Sequence, residues 1–417
     1  MTAQREFDIV LYGATGFAGK LTAEYLSHAA GSARVALAGR SQDKLLAVRE
    51  TLGEAAQSWP LIAADASQPS TLDAMAAQAQ VVVTTVGPYN RYGLPLVAAC
   101  AAAGTDYADL TGEPMFIRES IDLYHKQAAD TGARIVHSCG FDSIPSDLSV
   151  YSLYRRAVDD GTGELGDTDF VVRKIAAGFS GGTVASMLDV VRAMSDDAEV
   201  RRLLEDPYTL TPDREAEPEL GSQPDMPWRR GRQIAPELDG IWTSGFLMAP
   251  VNTRIVRRSN ALQDWAYGRR FRYSECQSVG SSIAAPVVSA MAAGASSAVT
   301  GLGSRYFNRL PKGFLERIVP KPGTGPSEKV REKGHYKIET YTTTTSGARY
   351  VATISQKGDP GYKATSVLLG ESGLALALDR DRLSDLRGVL TPAAAMGDAL
   401  LARFPAAGVS LETSRLN

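Results

Sequence analysis

Apolar positions in the first 150 residues fall in short continuous runs separated by segments of helical spacing. The runs at 7–12, 34–38, 61–64, 81–86, 106–109 and 134–137 read as strands. Between them, helices are expected up to about residue 30 and over 43–52, 70–78, 94–103 and 116–131. Strands that alternate with helices in this way predict an α/β fold, a Rossmann doubly wound parallel sheet.

After about residue 160 the pattern changes. Residues 169–177 are strand-like and 183–195 helical, whereas 205–240, rich in Pro, charge and turn formers, predict a long loop. Residues 253–272 and the small-residue stretch beyond them read as mainly helical, and 320–326 as a Pro/Gly linker. Runs at 334–345 and 348–357 predict a hairpin turning at Ser346-Gly347. Residues 362–378 and 392–404 read as helices, the second with Thr391 as N-cap and Pro392 in its first turn.

The 417 residues are enough for two or three domains at roughly 150 residues each. With 44% hydrophobic and 22% charged residues, disorder is not expected. The net charge of −3, without a long basic run, argues against nucleic acid as a partner. Cys100, Cys139 and Cys276 are too scattered for a disulfide framework or a C-x-x-C site, and no metal-ligand cluster stands out. A reducing compartment fits. Met1 to Asp8 is polar, so no secretory signal is expected and the chain reads as cytoplasmic. Residues 276–304 hold no charge and are long enough to span a bilayer, but they are mostly Ala, Ser and Gly with Pro286 inside. A buried or interface helix is the expectation there; peripheral membrane contact stays open, as does a homodimer.

Gly13-Ala14-Thr15-Gly16-Phe17-Ala18-Gly19 follows the first strand and opens a helix. Both contexts are those of a dinucleotide fingerprint. Gly13 permits the tight turn, Gly16 lets the backbone approach a pyrophosphate, and Gly19 lets the helix pack near the strand. Free N–H groups at the helix start, with Thr15 and Phe17 beside them, suit phosphate. The spacing G-x-x-G-x-x-G suits NADP-preferring Rossmann proteins. At the end of the second strand, where an acidic residue would bind the ribose of NAD, the chain has Gly39-Arg40-Ser41 with Lys44 a turn later. Arg40 can pair with a 2′-phosphate and Ser41 can donate a hydrogen bond, which favours NADP(H); alternatively, Arg40 is a solvated charge. Asp65 is expected to meet the adenine amino group, and Val86-Gly87-Pro88 to lie near the nicotinamide ribose.

Hydride transfer belongs to the cofactor, while the protein positions substrate and manages a proton. Candidates follow the later strands: Tyr89, Asn90, Arg91 and Tyr92; Tyr107, Asp109, Thr111 and Glu113; Cys139, Phe141, Asp142, Ser143, Ser146 and Asp147. Tyr89 and Tyr107 are taken as proton-donor candidates, and Asp142 and Ser143 as substrate contacts. Asp142 and Asp147 are equally suited to cap the next helix. Cys139 reads as a small buried residue, and His125 and His137 as structural. Ser180-Gly181-Gly182-Thr183 is a second glycine turn; Gly181 and Gly182 could receive an anionic or carbonyl group, or the turn is a simple N-cap.

Taken together, these segments resemble the saccharopine-dehydrogenase-like oxidoreductases, and more closely the mycobacterial trans-acting enoyl reductases. The resemblance rests on Glu6 through Phe17, Leu37 through Ser41 and Thr84 through Tyr89. Gly140-Phe141-Asp142-Ser143-Ile144-Pro145-Ser146-Asp147 and the run from Gly388 to Gly397 carry it more specifically than the glycine loop. It implies an NADP-binding Rossmann domain over 1–150, an inserted α+β substrate or interaction domain over 151–360, and C-terminal helices over 361–417 that return to the first domain. It also implies a stand-alone NADPH-dependent reductase acting on an α,β-unsaturated acyl thioester. That acyl chain would be held by the carrier domain of a polyketide synthase, in phthiocerol or phenolphthiocerol lipid synthesis. Two other readings compete. One is a non-catalytic, lipid-associated NADP-binding protein, suggested by 276–304. The other is an amino-acid dehydrogenase, for which Arg91, Arg173 and Lys174 are the available charges.

Overall fold

A computed structural model of the protein describes residues 5–176, 193–282, 284–289 and 325–417. Seven strands form one parallel sheet: β1 (Phe7–Tyr12), β2 (Val35–Gly39), β3 (Leu61–Ala63), β4 (Ala79–Thr84), β5 (Asp106–Ala108), β6 (Arg134–Val136) and β12 (Gly388–Leu390). Their order is β12-β6-β5-β4-β1-β2-β3, so the chain reverses direction between β1 and β4. Ile9, Val10, Leu11 and Val81 to Val83 are buried, as expected for strands with helices on both faces. The helices joining the strands are α1 (Phe17–Ala29), α2 (Gln42–Thr51), α3 (Pro69–Gln78), α4 (Leu94–Ala103) and α5 (Pro114–Thr131). This is the doubly wound arrangement that the alternating pattern predicts.

A second sheet of six strands has the order β13-β11-β10-β7-β9-β8. It comprises β7 (Leu165–Ala176), β8 (Trp242–Gly245), β9 (Arg272–Gly280), β10 (His335–Thr344), β11 (Arg349–Lys357) and β13 (Val409–Arg415). β10 and β11 form the expected hairpin. Tyr336, Ile338, Tyr350, Ala352 and Ile354 alternate inward, toward α6 (Ile144–Asp159), which packs on β7, β10 and β11. The opposite face carries a smaller apolar cluster in which Val171, Cys276 and Tyr341 meet Ala235 and Leu238. Part of the expected loop at 205–240 thus covers the sheet.

Helix α7 (Ala198–Glu205) leads into that excursion, and α8 (Ala249–Leu262) lies behind it. Alpha-helical spacing was expected as far as residue 272 and beyond it. Instead the helix stops at Leu262, and Arg272–Gly280 is strand β9, paired in parallel with β7. The β-strand wins there because Tyr273, Glu275 and Cys276 find partners on neighbouring elements. The glycine turn with Gly181 and Gly182, and most of 276–304, lie outside the described residues. Among the described residues no helix is long and apolar enough to cross a membrane.

The C-terminal segment contributes α9 (Thr365–Leu378) and α10 (Pro392–Arg403). α9 packs on α1, β1, β4 and β5, and α10 on α9 and α6. The helices therefore return to the first sheet, as expected. The same segment also supplies a strand to each sheet: β12 beside β6, and β13 beside β11.

Candidate nucleotide and active site

The glycine loop leaves β1 at the crevice where strand order reverses, the position at which such sheets bind ligands. Gly13 adopts φ +87°, and its N–H donates to Ala38 O at 2.9 Å. A Cβ on Gly13 would stand 2.7 Å from Val86 Cγ2, so the turn after β4 lies directly against the loop. Thr85 Oγ1 reinforces that contact by donating to Gly13 O at 3.2 Å. A Cβ on Gly19 would run into Gly13 O, so only glycine lets α1 approach the strand end this closely. Gly16 is exposed and is the N-cap of α1, without a side-chain cap. The helix therefore presents its first amides outward, the arrangement a dinucleotide pyrophosphate requires.

Phe17 opens α1, and its ring is covered from the other half of the chain. Tyr362 packs edge-on at 4.6 Å, and the Arg331 guanidinium stands 5.4 Å from the ring centre. Gly325 approaches so closely that a Cβ there would enter the Phe17 ring. The residues around 325–333 thus lie beside the start of α1. Arg331 is a cation near that end that sequence reasoning missed, because nothing local around it marks a nucleotide contact.

Just beyond β2, Arg40 and Lys44 are exposed and Ser41 half-buried. Ser41 Oγ accepts the Lys44 N–H at 3.4 Å, capping α2. Asp65 stands near Arg40, but its carboxylate accepts both the N–H and the hydroxyl of Ser67 at 2.9 Å. These bonds hold its pKa below the ordinary carboxyl value, with a smaller contribution from Arg40. Asp65 is therefore engaged in its own turn rather than held out for adenine alone. Val86 and Pro88 are half-buried and Gly87 is exposed at the mouth of the crevice.

The two tyrosines named as proton donors occupy other roles. Tyr107 is 0% exposed and its hydroxyl donates to Asp109 Oδ2 at 2.9 Å. Tyr89 is buried, with its hydroxyl donating to Thr84 O and accepting from Leu110 N. Burial pushes both phenols well above their ordinary pKa, with Asp109 adding to the effect. A phenol sealed in the core cannot reach a substrate, so the geometry corrects both assignments to structural ones.

Asp109 is the centre of this network. Its carboxylate also accepts Thr111 N–H at 3.1 Å and Ser138 N–H at 2.9 Å, and meets His137 Nδ1 at 2.7 Å. It thereby ties the loops after β5 and β6 together and supports Ser138 at φ +65°. His137 Nε2 lies 2.9 Å from Ser120 Oγ. The Ser–His–Asp sequence of contacts has the connectivity of a hydrolytic triad, but Ser120 is 0% exposed, so no acyl group can reach it. His137 is structural, as its sequence context suggests. Cys139 is buried and its thiol is pushed up by desolvation, which fits a packing residue.

After β6, the Phe141 ring meets Tyr336 of the second sheet at 4.7 Å. Asp142 is half-buried. Ser143 is fully buried: its hydroxyl donates to Asn252 Oδ1 at 2.9 Å, and Asn252 Nδ2 donates to Glu275 at 3.0 Å. Ser143 therefore holds the loop to α8 and β9 and is not available as a substrate contact. Asp147 caps a helix, but not its own. It accepts Ala393 N–H at 2.8 Å at the start of α10, and the Ser259 hydroxyl at 2.5 Å. A cleft of about 420 Å³ lies at the end of β7, β9 and β10, lined by Val172, Arg173, Lys174, Ile175, Gln277 and His335 among others. Arg173 is spoken for there by Glu339 at 2.5 Å, which weakens the case for a carboxylate-binding pocket. Among the described residues no group of side chains could hold a metal ion.

The family described as saccharopine dehydrogenase NADP binding domain matches residues 9–136. The chain is 74% identical over 417 residues to a Mycobacterium tuberculosis protein named as a trans-acting enoyl reductase, covering 100% of both chains. It is 68% identical over 416 residues to a trans-acting enoyl reductase of Mycobacterium bovis, covering 100% of this chain and 99% of that one. Among solved structures, apo saccharopine dehydrogenase (L-Glu forming) from Saccharomyces cerevisiae is similar at a TM-score of 0.49 and 12% identity, over 98% of this chain and 99% of that one. The cofactor is NADP(H).

Proposed function

Because the chain belongs to the trans-acting enoyl reductase family of NADP-dependent, saccharopine-dehydrogenase-like oxidoreductases, we propose that it reduces an α,β-unsaturated acyl thioester presented by the carrier domain of a polyketide synthase. In this reading it acts in trans on a synthase that lacks a working enoyl-reductase module, in phthiocerol or phenolphthiocerol lipid synthesis. NADPH, when bound, supplies the hydride that goes to the β-carbon, and a proton goes to the α-carbon. The observation that carries the reading is the glycine-lined crevice, with Arg40 at its adenosine end, in a chain aligned over its full length with named enoyl reductases.

In this proposal the amides at the start of α1, around Thr15, Gly16 and Phe17, receive the pyrophosphate. Arg40 and Lys44 meet the 2′-phosphate, with Ser41 alongside. Val86, Gly87 and Pro88 border the nicotinamide ribose. Asp142 stays a candidate substrate contact. The Asp109 network holds the loops after β5 and β6 rigid around the reacting atoms, as an active site requires of its supporting shell.

The test is NADPH oxidation by the purified full-length protein, offered an enoyl thioester on an isolated carrier domain. Consumption of NADPH with formation of the saturated thioester is the expected result. Turnover of a ketone or an imine, with none of any enoyl thioester, would overturn the substrate assignment. Absence of NADPH binding would overturn the site itself.

A further inference from the structure

Trp228 is 55% exposed, and Val287 and Val288 are 62% and 49% exposed. The three share one surface, because the Trp228 indole N–H donates to Ser289 Oγ at 2.7 Å. Over 284–289, Ala285 and Ser289 face inward and Ala284, Val287 and Val288 face out. That is the i, i+3, i+4 spacing of a single exposed helix face. Ser289 Oγ is anchored in turn on Thr243 O of β8, so the face is fixed to the second sheet. Trp242 stands 6.3 Å from Trp228, ring to ring, and carries the Arg230 guanidinium 4.9 Å from its own ring centre. Arg230 and Arg232 are exposed, whereas Arg229 is committed to Asp169.

None of these residues belongs to the nucleotide crevice. Exposed aliphatic residues beside an amphipathic indole, flanked by arginines, match the interface of a bilayer. No residue from 284 to 289 is charged, so this helix face approaches headgroups without desolvating an ionised side chain of its own. The arginines select the lipid, since cations near a bilayer gain from anionic headgroups. A two-fold self-contact would use the same patch on both copies and bring the same arginines together. We propose that this face rests on an anionic lipid surface, with Trp228, Val287 and Val288 at the headgroup–acyl boundary and Arg230 and Arg232 against lipid phosphates. The inference is independent of which substrate the enzyme reduces.

The experiment is co-sedimentation of the full-length protein with vesicles of phosphatidylglycerol and phosphatidylcholine in equal parts, and with vesicles of phosphatidylcholine alone. Binding to the anionic vesicles is expected, weakened by salt as exposed charge interactions are. Trp228→Ala and the pair Val287→Ser, Val288→Ser should each weaken it roughly tenfold, the loss expected on removing an inserted apolar group. Arg230→Glu with Arg232→Glu should abolish the preference for anionic lipid. NADPH binding is measured on every variant and should be unchanged, which separates loss of the surface from loss of the fold. Equal sedimentation with both vesicle types, no sedimentation with either, or a Trp228-dependent dimer in ultracentrifugation would each overturn the proposal.

Discussion

In the proposed reading, two residues decide whether the crevice binds its nucleotide and which one it prefers. Gly19 lies where any Cβ meets Gly13 O, so Gly19→Ala must push α1 away from the strand end. Overpacking of this kind typically costs about 1–3 kcal/mol. It also moves the amides proposed to receive the phosphates. NADPH affinity measured by fluorescence titration is expected to fall at least about tenfold, while the unfolding midpoint drops only modestly. Normal affinity in Gly19→Ala would mean the loop does not hold the pyrophosphate. Arg40 acts on selectivity instead. It is exposed at the end of β2, and a hydrogen bond to a charged group is worth about 1.5–3 kcal/mol. Arg40→Ala should therefore weaken NADPH by roughly ten- to a hundredfold and leave NADH nearly unchanged. Parallel titrations with the two nucleotides check this; equal losses for both would count against a 2′-phosphate contact.

At the scale of elements, two buried carboxyls join helices and strands that are far apart in the chain. Asp147 in α6 receives bonds from α8 and α10, and Glu275 in β9 receives them from Asn252 and Tyr273. Burial pushes both up to about 7, against the lowering effect of those hydrogen bonds. A carboxyl whose pKa is higher folded than unfolded binds more protons in the folded state. Its stabilisation is complete below the ordinary carboxyl range and is lost as pH rises through about 7. Denaturant midpoints should therefore fall between about pH 4 and pH 7 and level off above, and Asp147→Asn should flatten part of that slope. A midpoint rising across the same window would refute the assignment. The sequence offered Asp147 as a site candidate or as a cap for its own helix, because the capping rule is local, whereas the helix it serves begins at Pro392, 245 residues further along the chain. The parallel sheet was legible for the opposite reason: apolar runs such as Val81 to Val83 and the glycine spacing after Tyr12 are local signals. Strands β8, β9, β12 and β13 were not legible, being short or polar and made strands by partners distant in the chain. At the candidate site, the glycine loop could be read from spacing, but the burial of Tyr89 and Tyr107 could not, since alternation does not reveal how deep a strand end lies.

The whole molecule is held together by a helix that is polar yet buried. Along α8, Asn252, Arg254, Arg257, Arg258 and Ser259 are all buried. Arg254 and Arg257 meet Asp225 of the excursion at 2.5 and 3.5 Å. Arg258 instead donates to two carbonyls, Leu210 O in the excursion and Val389 O in β12 at 2.6 Å. One guanidinium thus links the covering segment to the edge strand of the first sheet. Burial lowers its pKa to about 9, which still leaves it charged at neutral pH. Replacing it with Met keeps much of the volume but strands both carbonyls, at about 1–3 kcal/mol for each group left unsatisfied. Arg258→Met should therefore lose roughly 2–5 kcal/mol in denaturant unfolding, and limited proteolysis should cut the excursion around Leu210 sooner than in the unchanged protein. Arg258→Lys keeps a charge but not the planar fork that reaches both carbonyls, so it should fall between the two. The excursion would have to be docked by its apolar contacts alone if Arg258→Met left both stability and the cleavage rate unchanged.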